Sequence, residues 1–597
     1  MRAIIHNIAS DDRERRLLIV RVRLRQRTDM NMMMTLIEAI ALIVGAVSPE
    51  EVTDSEMERL IWRSRHPLNI NSASRRALTE SGLFSDFQVV SLLDYISSAG
   101  AVLSRSELSV IDGFDREIAE ALAFFVTFGN SPPREHWSLE SRLYAGTSVY
   151  GLHSCISKGE TFELSAAGAG TWTGRLDALS FSAALLLPGR KARLYVGDFN
   201  LRFGQGLAAW NTMSLDDPSS AASLIRRPTG MKPSRSMTGK YAQTGLGCSF
   251  DTGPVTFSVA AVVPGMKKAL IGEINSSRGK TDIAGLQGLF NCSWWHRRFS
   301  FGFTSVVEGV PSSGIGDAEN RRQGSGLWRC TADFSVDFRG CFSGFDLASE
   351  LAGGIGQPLR AVVSATSPRL AEHFRAGASL RYSPSRHIAL LVSEFSARSG
   401  HSASLSFRLR HVAPKSREAV PAGGRLSGTN DLRVDARYKF RWNESSFAAL
   451  RLRENIDISS LSASVFTCRG EVTAGYAGIW ASSASVSFSH GGKWGMVAFV
   501  EESCRISGIL STYLRAGLFS VDDWAGRLYV YEHDIPGRFN VPAFYGRGVW
   551  GSFFANWKFC RRGSLAARLA YYTYPFMLPS ARKPDRLEAR MMLTIRF

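Results

Sequence analysis

Arg586-Leu587-Glu588-Ala589-Arg590-Met591-Met592-Leu593-Thr594-Ile595-Arg596-Phe597 ends the chain, and its reading decides the fold. Side chains of an extended strand alternate between two faces. Leu587, Ala589, Met591, Leu593, Ile595 and Phe597 therefore share an apolar face. Arg586, Glu588, Arg590, Met592, Thr594 and Arg596 share the other, which carries the charge. Such a strand suits a wall between an apolar and an aqueous medium. A sheet edge open to lipid leaves backbone N–H and C=O groups unpaired, so a spanning sheet has to close.

Upstream the same pattern recurs. Leu432, Val434, Ala436, Tyr438, Phe440 and Trp442 oppose Arg433, Asp435, Arg437, Lys439 and Arg441, with a turn at Asn443-Glu444. Ala403, Leu405, Phe407 and Leu409 oppose Ser404, Ser406, Arg408 and Arg410, and Arg375 to Tyr382 turns at Ser383-Pro384-Ser385 and resumes at His387. Strands of this kind fill residues 135–597, and at ~9–11 membrane residues each they number about two dozen. The expected fold is mainly β, a large transmembrane antiparallel β-barrel. Asp216–Thr238, Pro264–Asp282, Pro311–Gly324 and Ala413–Asn430 are expected loops. Trp294, Trp295, Trp524, Trp550, Tyr571, Tyr572 and Tyr574 suit aromatic girdles.

The terminal strand resembles that of bacterial outer-membrane β-barrels, where a last aromatic residue belongs to the assembly signal. The resemblance implies that Phe597 is read by the barrel-assembly machinery and that the barrel meets outer-membrane lipid.

Composition agrees with this architecture. The 597 residues exceed one ordinary globular core, and no apolar run reaches the ~20 residues of a membrane helix. The formal charge of +18 fits nucleic acid, anionic head groups or an anion-attracting lumen. Eight cysteines without a C-x-x-C pair give no zinc or redox motif. Cys330 and Cys341 could meet across a hairpin, but isolated thiols are the expectation.

Residues 1–48 read as leader and signal peptide. Arg21, Arg23, Arg25 and Arg27 precede the apolar residues 32–48, Ala46 or Ser48 could precede cleavage, and Met30 and Met32 offer later starts. Residues 55–130 switch to short helices. Asn71 and Ser72 are expected to cap one through Ser81. Ser85-Asp86-Phe87-Gln88 and Ser104-Arg105-Ser106-Glu107 are capping boxes, and Asp115 begins the last helix. Gly82 and Gly113 lie between helices, where a left-handed backbone is needed. Gly129-Asn130-Ser131-Pro132-Pro133 is the linker.

This all-α unit resembles a tandem helix-hairpin-helix domain of the competence DNA-receptor (ComEA) type, through Leu68–Ala73, Tyr95–Leu103 with Gly100, and Val110–Phe114. The resemblance implies that Gly82, Leu83, Phe84 and Ser85, with Gly113, Phe114 and Asp115, contact phosphate or a protein partner. Each hairpin lacks the second glycine of DNA-binding members. Asp86, Asp112 and Asp115 place negative charge where phosphate would sit.

Three further stretches, Gly197 to Leu207, Gly230 to Pro233 and Tyr529 to Gly548, resemble an outer-membrane family of Bacteroidetes-type bacteria that sets such a domain before a large barrel. Gly197–Leu207 lacks the lysine of a P-loop and the spacing of a dinucleotide fingerprint, so it reads as a strand bent at its glycines. Glu532-His533-Asp534 reads as ion pairing with Arg527, Arg538 or Arg547. No catalytic, metal or cofactor constellation is expected, and no enzyme. The expected role is envelope transport or docking, with the helical domain in the periplasm plugging the mouth or recruiting a periplasmic protein partner. Arg433, Arg437, Lys439 and Arg441 would set the field of the lumen. DNA binding or uptake, and a structural or assembly role, are the competing classes.

Overall fold

The computed structural model describes residues 36–46, 52, 54–129 and 136–597, apart from 160, 188–190, 212–219, 237–240, 276–284, 312–327, 371–372, 398, 414–428, 444–445, 459–461, 477–478, 507, 539 and 578–583. Most of the linker and of the loops expected at 311–324 and 413–430 therefore lie outside the described residues.

The chain closes into a barrel of 24 antiparallel strands. Each long strand pairs with its sequence neighbour, and the last, Arg586–Arg596, pairs with the first, Trp137–Gly146, from Arg590↔Gly146 to Arg596↔Glu140. Phe597 N–H donates to Leu139 O at 2.9 Å and Leu139 N–H returns to Phe597 O at 3.1 Å, so the terminal residue completes the seam. The two terminal strands therefore leave no open edge where the barrel closes. Leu587, Met591 and Phe597 point outward and are exposed, whereas Met592 and Thr594 are buried inside, as the alternation requires.

One end of the barrel carries short turns, for example Ser343-Gly344 between Trp328–Phe342 and Phe345–Ile355. The other end carries the long connections. One of them holds a helix within the expected loop at 264–282, Met266–Asn275. The loop expected at 216–238 holds the helical turn Ala221–Leu224 and the short strand Gly230–Pro233, which pairs with Phe199–Arg202. Four expected girdle residues turn inward: Trp550 and Tyr572 are buried in the lumen beside Phe519 and Phe544, Tyr574 packs against the same cluster, and Trp295 shares the inner face with Asn291 and Ser293. The register Trp550↔Tyr572 puts these two on the polar-side parity of their strands. Cys330 and Cys341 lie on one strand, and all eight cysteines are free thiols.

The helical domain is built from α1 (Leu36–Val44), α2 (Asp54–Arg65), α3 (Arg75–Glu80), α4 (Asp86–Ala99), α5 (Arg105–Leu108) and α6 (Arg116–Leu122). Leu60, Leu78, Leu83, Phe84, Leu92, Leu108, Leu122 and Phe125 form one core, each contributing ~1.5–3 kcal/mol by burial. A short parallel pair, Leu68–Asn69 with Val126–Thr127, ties its ends together. Ser85 and Gln88 form the full capping box, Ser104 caps α5, and Asp115 caps α6 through Ile118 N–H at 2.6 Å. The first cap differs from expectation: Ser74, not Asn71 or Ser72, caps α3. Asn71 instead exchanges two hydrogen bonds with the backbone of Val102, clamping one hairpin to the other. Helix α1 falls within the expected leader, and its Ala39, Ile40, Ala41 and Ile43 are buried in this same core.

Candidate functional site

Among the described residues, three inserted parts occupy the lumen: the helical domain and two loops that fold inward. Each is held by polar and charged side chains on the inner face of the wall.

The helical domain seats at the short-turn end. Asp86, first residue of α4, meets Arg339 at 2.8 Å, with both side chains almost fully buried. Asp115, the cap of α6, pairs with Arg369, and Glu117 faces Arg441 at 3.4 Å. Asp94 pairs with Arg297, Arg65 with Glu140, and Arg76 with both Glu80 and Asp251. Lys232 also reaches Glu80, at 3.1 Å. Burial pushes the Glu80 carboxyl up, but Lys232 and Arg76 outweigh it and hold it below the usual carboxylate range. Arg235 stacks over the Trp62 ring.

The first hairpin faces this interface rather than solvent. Gly82 has φ +67, as its place between helices requires, and a side chain there would strike the Arg59 guanidinium. Gly82 O and Leu83 O accept from Arg227, while Leu83 and Phe84 are buried in the domain core. The N-terminus of α4, where a helix favours an anion, is occupied from within the chain. Ser85 N–H goes to the Gln88 side chain, and Phe87 N–H donates to the Asp346 carboxylate at 2.7 Å. In the second hairpin Gly113 has φ +85 and gives its carbonyl to Gln88, Phe114 is buried, and Asp115 is paired as above.

The second inserted part follows the strand Ala192–Arg202. Gly197, at φ +87, is where pairing with Leu176–Leu187 stops, and a Cβ there would sit 2.3 Å from Phe181 O. The chain then turns in at Gly204 and Gly206, both at positive φ. Glu350, six strands round the wall, accepts from the N–H groups of Gln205 (2.7 Å), Leu207 (3.0 Å) and Ala208 (3.4 Å). Farther on, Ala221 N–H donates to Glu394, Leu224 packs on Leu390 and Val392, and Arg227 reaches Ile43 O at 2.8 Å. This loop thus runs down the lumen to the helical domain.

The third part is the connection after Val521. Glu532 accepts from Arg568, Tyr572 (3.0 Å) and Asn540 (3.0 Å), Asp534 pairs with Arg590, and Arg515 donates to Tyr531 O. His533 stacks on Tyr513 at 3.7 Å and faces Glu501 at 3.6 Å. The expected ion-pair partners were Arg527, Arg538 and Arg547, and none of them is used. Arg538 donates to Tyr144 and Arg547 pairs with Asp522. The segment is an inward loop, so its acids meet arginines on strands distant in sequence.

Arg433, Arg437, Lys439 and Arg441 all lie on the inner face of Thr429–Asn443, since Tyr438 and Trp442 on the alternate positions are exposed to the outside. Arg433 donates to Asn455, Arg437 to Asp435, and Arg441 reaches the helical domain. The two loop anchors, Glu350 and the Arg568–Glu532 pair, were not expected from sequence. Their signal was a charged residue at an inward parity within an otherwise apolar strand.

No protein-family model matches the chain, and no curated protein matches it. Among solved structures it is similar to the P pilus usher (PapC) translocation pore, with TM-score 0.35, 10% identity, and 77% of this chain and 98% of that one covered. It is also similar to the copper transporter OprC, with TM-score 0.39, 8% identity and coverage of 79% and 82%. A mutant ferric enterobactin receptor from Pseudomonas aeruginosa gives TM-score 0.40, 9% identity and coverage of 78% and 82%. These low scores describe barrel outline. That this is a large β-barrel of outer-membrane type rests on its own closed strand pairing and apolar exterior.

Proposed function

We propose that this chain is a gated conduit of the outer membrane whose helical domain is the periplasmic plug. Short turns face the periplasm in such barrels, and the helical domain seats at that end. The observation that carries the reading is the use made of the hairpin acids. Asp86 and Asp115, which would repel a nucleic-acid phosphate, are the groups that meet Arg339 and Arg369 of the barrel. Asp346 occupies the α4 N-terminus as an internal anion. DNA binding at these hairpins would require the domain to leave the barrel first. The helix-hairpin-helix fold here serves as a docking surface, and the cargo is a polar solute moving past it.

The test is a cysteine pair, Asp94→Cys with Arg297→Cys, across an exposed contact. Mild oxidation of outer membranes from cells carrying the full chain should give a linked peptide by mass spectrometry. Absence of the link, with both single variants present in the membrane, would reject the plug.

A further inference from the structure

We infer that the wall formed by the strands His401–Val412, Thr429–Asn443, Ser446–Asp457 and Ser462–Tyr476 is a binding surface for a polyanionic chain. The inference rests on the conduit reading and adds the chemistry of what passes.

Around most of the lumen, inward charges are covered by the inserted parts. Glu532 and Arg568 are sealed under one loop and Glu350 under the other. The wall described here differs. Arg437, Arg451 and Arg453 converge on the single carboxylate of Asp435. Arg408 and Arg410 share Asp431. Across the inner face of these four strands Arg408, Arg410, Arg433, Arg437, Lys439, Arg441, Arg451, Arg453 and Arg469 outnumber Asp431, Asp435, Asp457 and Glu471, which leaves the wall positive whatever their hydrogen bonds. Arg408 and Arg437 are nearly closed off, at 3% and 9%, whereas the Arg410, Arg451 and Arg453 side chains keep 33%, 20% and 30% of their surface open, against 0% for Arg568.

The spacing selects a chain rather than a single ion. Asp431 and Asp435 lie four residues apart on one strand, so the two arginine clusters are separated by about 13 Å along that strand. Lys439 and Arg441 continue the row toward the plug, where Arg441 meets Glu117 of α6. One small anion fills one cluster. A polymer with repeated carboxylate, sulfate or phosphate groups fills several, and each guanidinium can take an oxyanion through two N–H groups. A polymer reaching Arg441 would compete there with Glu117.

The experiment uses the full chain in nanodiscs with fluorescent dextran sulfate as the probe, and neutral dextran, inorganic sulfate and single-stranded DNA as the other arms. Expected is saturable binding of dextran sulfate that weakens with salt, no binding of neutral dextran, and only weak competition by sulfate. The double variant R451Q/R453Q should lose at least tenfold in affinity, and R451K/R453K should recover part of it. R561Q/R562Q, on an exposed turn, should bind as wild type. Unchanged binding by R451Q/R453Q, equal binding of neutral dextran, or no competition by single-stranded DNA, itself a polyanionic chain, would overturn the inference. Strand integrity of each variant is read from heat-dependent gel mobility. The Asp94–Arg297 link reports the plug separately, so failure of the unaltered wall to bind dextran sulfate, with an intact link, rejects this surface without touching the plug.

Discussion

Asp86 and Arg339 form the buried contact on which docking of the helical domain turns. Both side chains are nearly without solvent, so removing one leaves the other as an uncompensated charge. Such a loss costs about 3–5 kcal/mol, whereas replacing both partners is often close to neutral. Asp86→Ala should therefore speed amide exchange across α4 strongly, and Asp86→Ala with Arg339→Leu should restore much of the protection. Equal exchange in wild type and Asp86→Ala would show that this pair does not hold the domain. The pair at Glu117 and Arg441 is half-exposed, and solvent screens it, so Glu117→Gln should have little effect on docking. Glu80 gives the pH dependence. Its carboxyl titrates below the ordinary value in the folded chain because Lys232 and Arg76 favour the ionised form. A depressed carboxylate stabilises above its unfolded pKa, about 4.3, and loses that contribution as pH falls through the folded value. Protease sensitivity of the α3 region should be flat from pH 8 to 5 and rise only below the ordinary carboxylate range. Lys232→Met should move the rise toward neutral pH.

At the scale of elements, the terminal strand and the inward loops obey different rules. The strand Arg586–Arg596 is set by alternation, and its register is fixed because a one-residue slip would turn every side chain to the wrong medium. Phe597 adds two backbone hydrogen bonds to Leu139 at the closure. Deleting Phe597 should lower the amount of barrel recovered in the outer membrane several-fold, measured by heat-modifiable mobility, without altering the helical domain. Full recovery would confine the role of Phe597 to lipid contact. The loop anchored by Glu350 has no such periodic signature. Its glycines at 204 and 206 supply positive φ, and a carboxylate on another strand collects three N–H groups. The capping boxes were legible, because a cap is a local geometry between residues three apart. Ser74 displaced Asn71 as the first cap because Asn71 had a better use, two bonds to Val102 in the other hairpin.

The whole molecule is a wide barrel with inserted parts in its lumen, and the plug reading predicts its electrical behaviour. In planar bilayers the full chain should show brief, small openings, and removal of residues 50–130 should raise mean conductance. Unchanged conductance would mean that the two lumen loops seal the barrel alone. Several features of this molecule were determined by sequence itself: the closed sheet, which faces are apolar, the helical unit before it, the inward parity of Arg433, Arg437, Lys439 and Arg441, and the bend at Gly197. All follow from short-range periodicity or from backbone angles, and those are properties of neighbouring residues. Tertiary structure alone decided where the acids of the hairpins are spent, which arginines meet Glu532 and Asp534, and that Trp550 and Tyr572 point inward. Each joins residues tens to hundreds of positions apart, and two arginines of equal chemistry are told apart only by the wall on which closure places them.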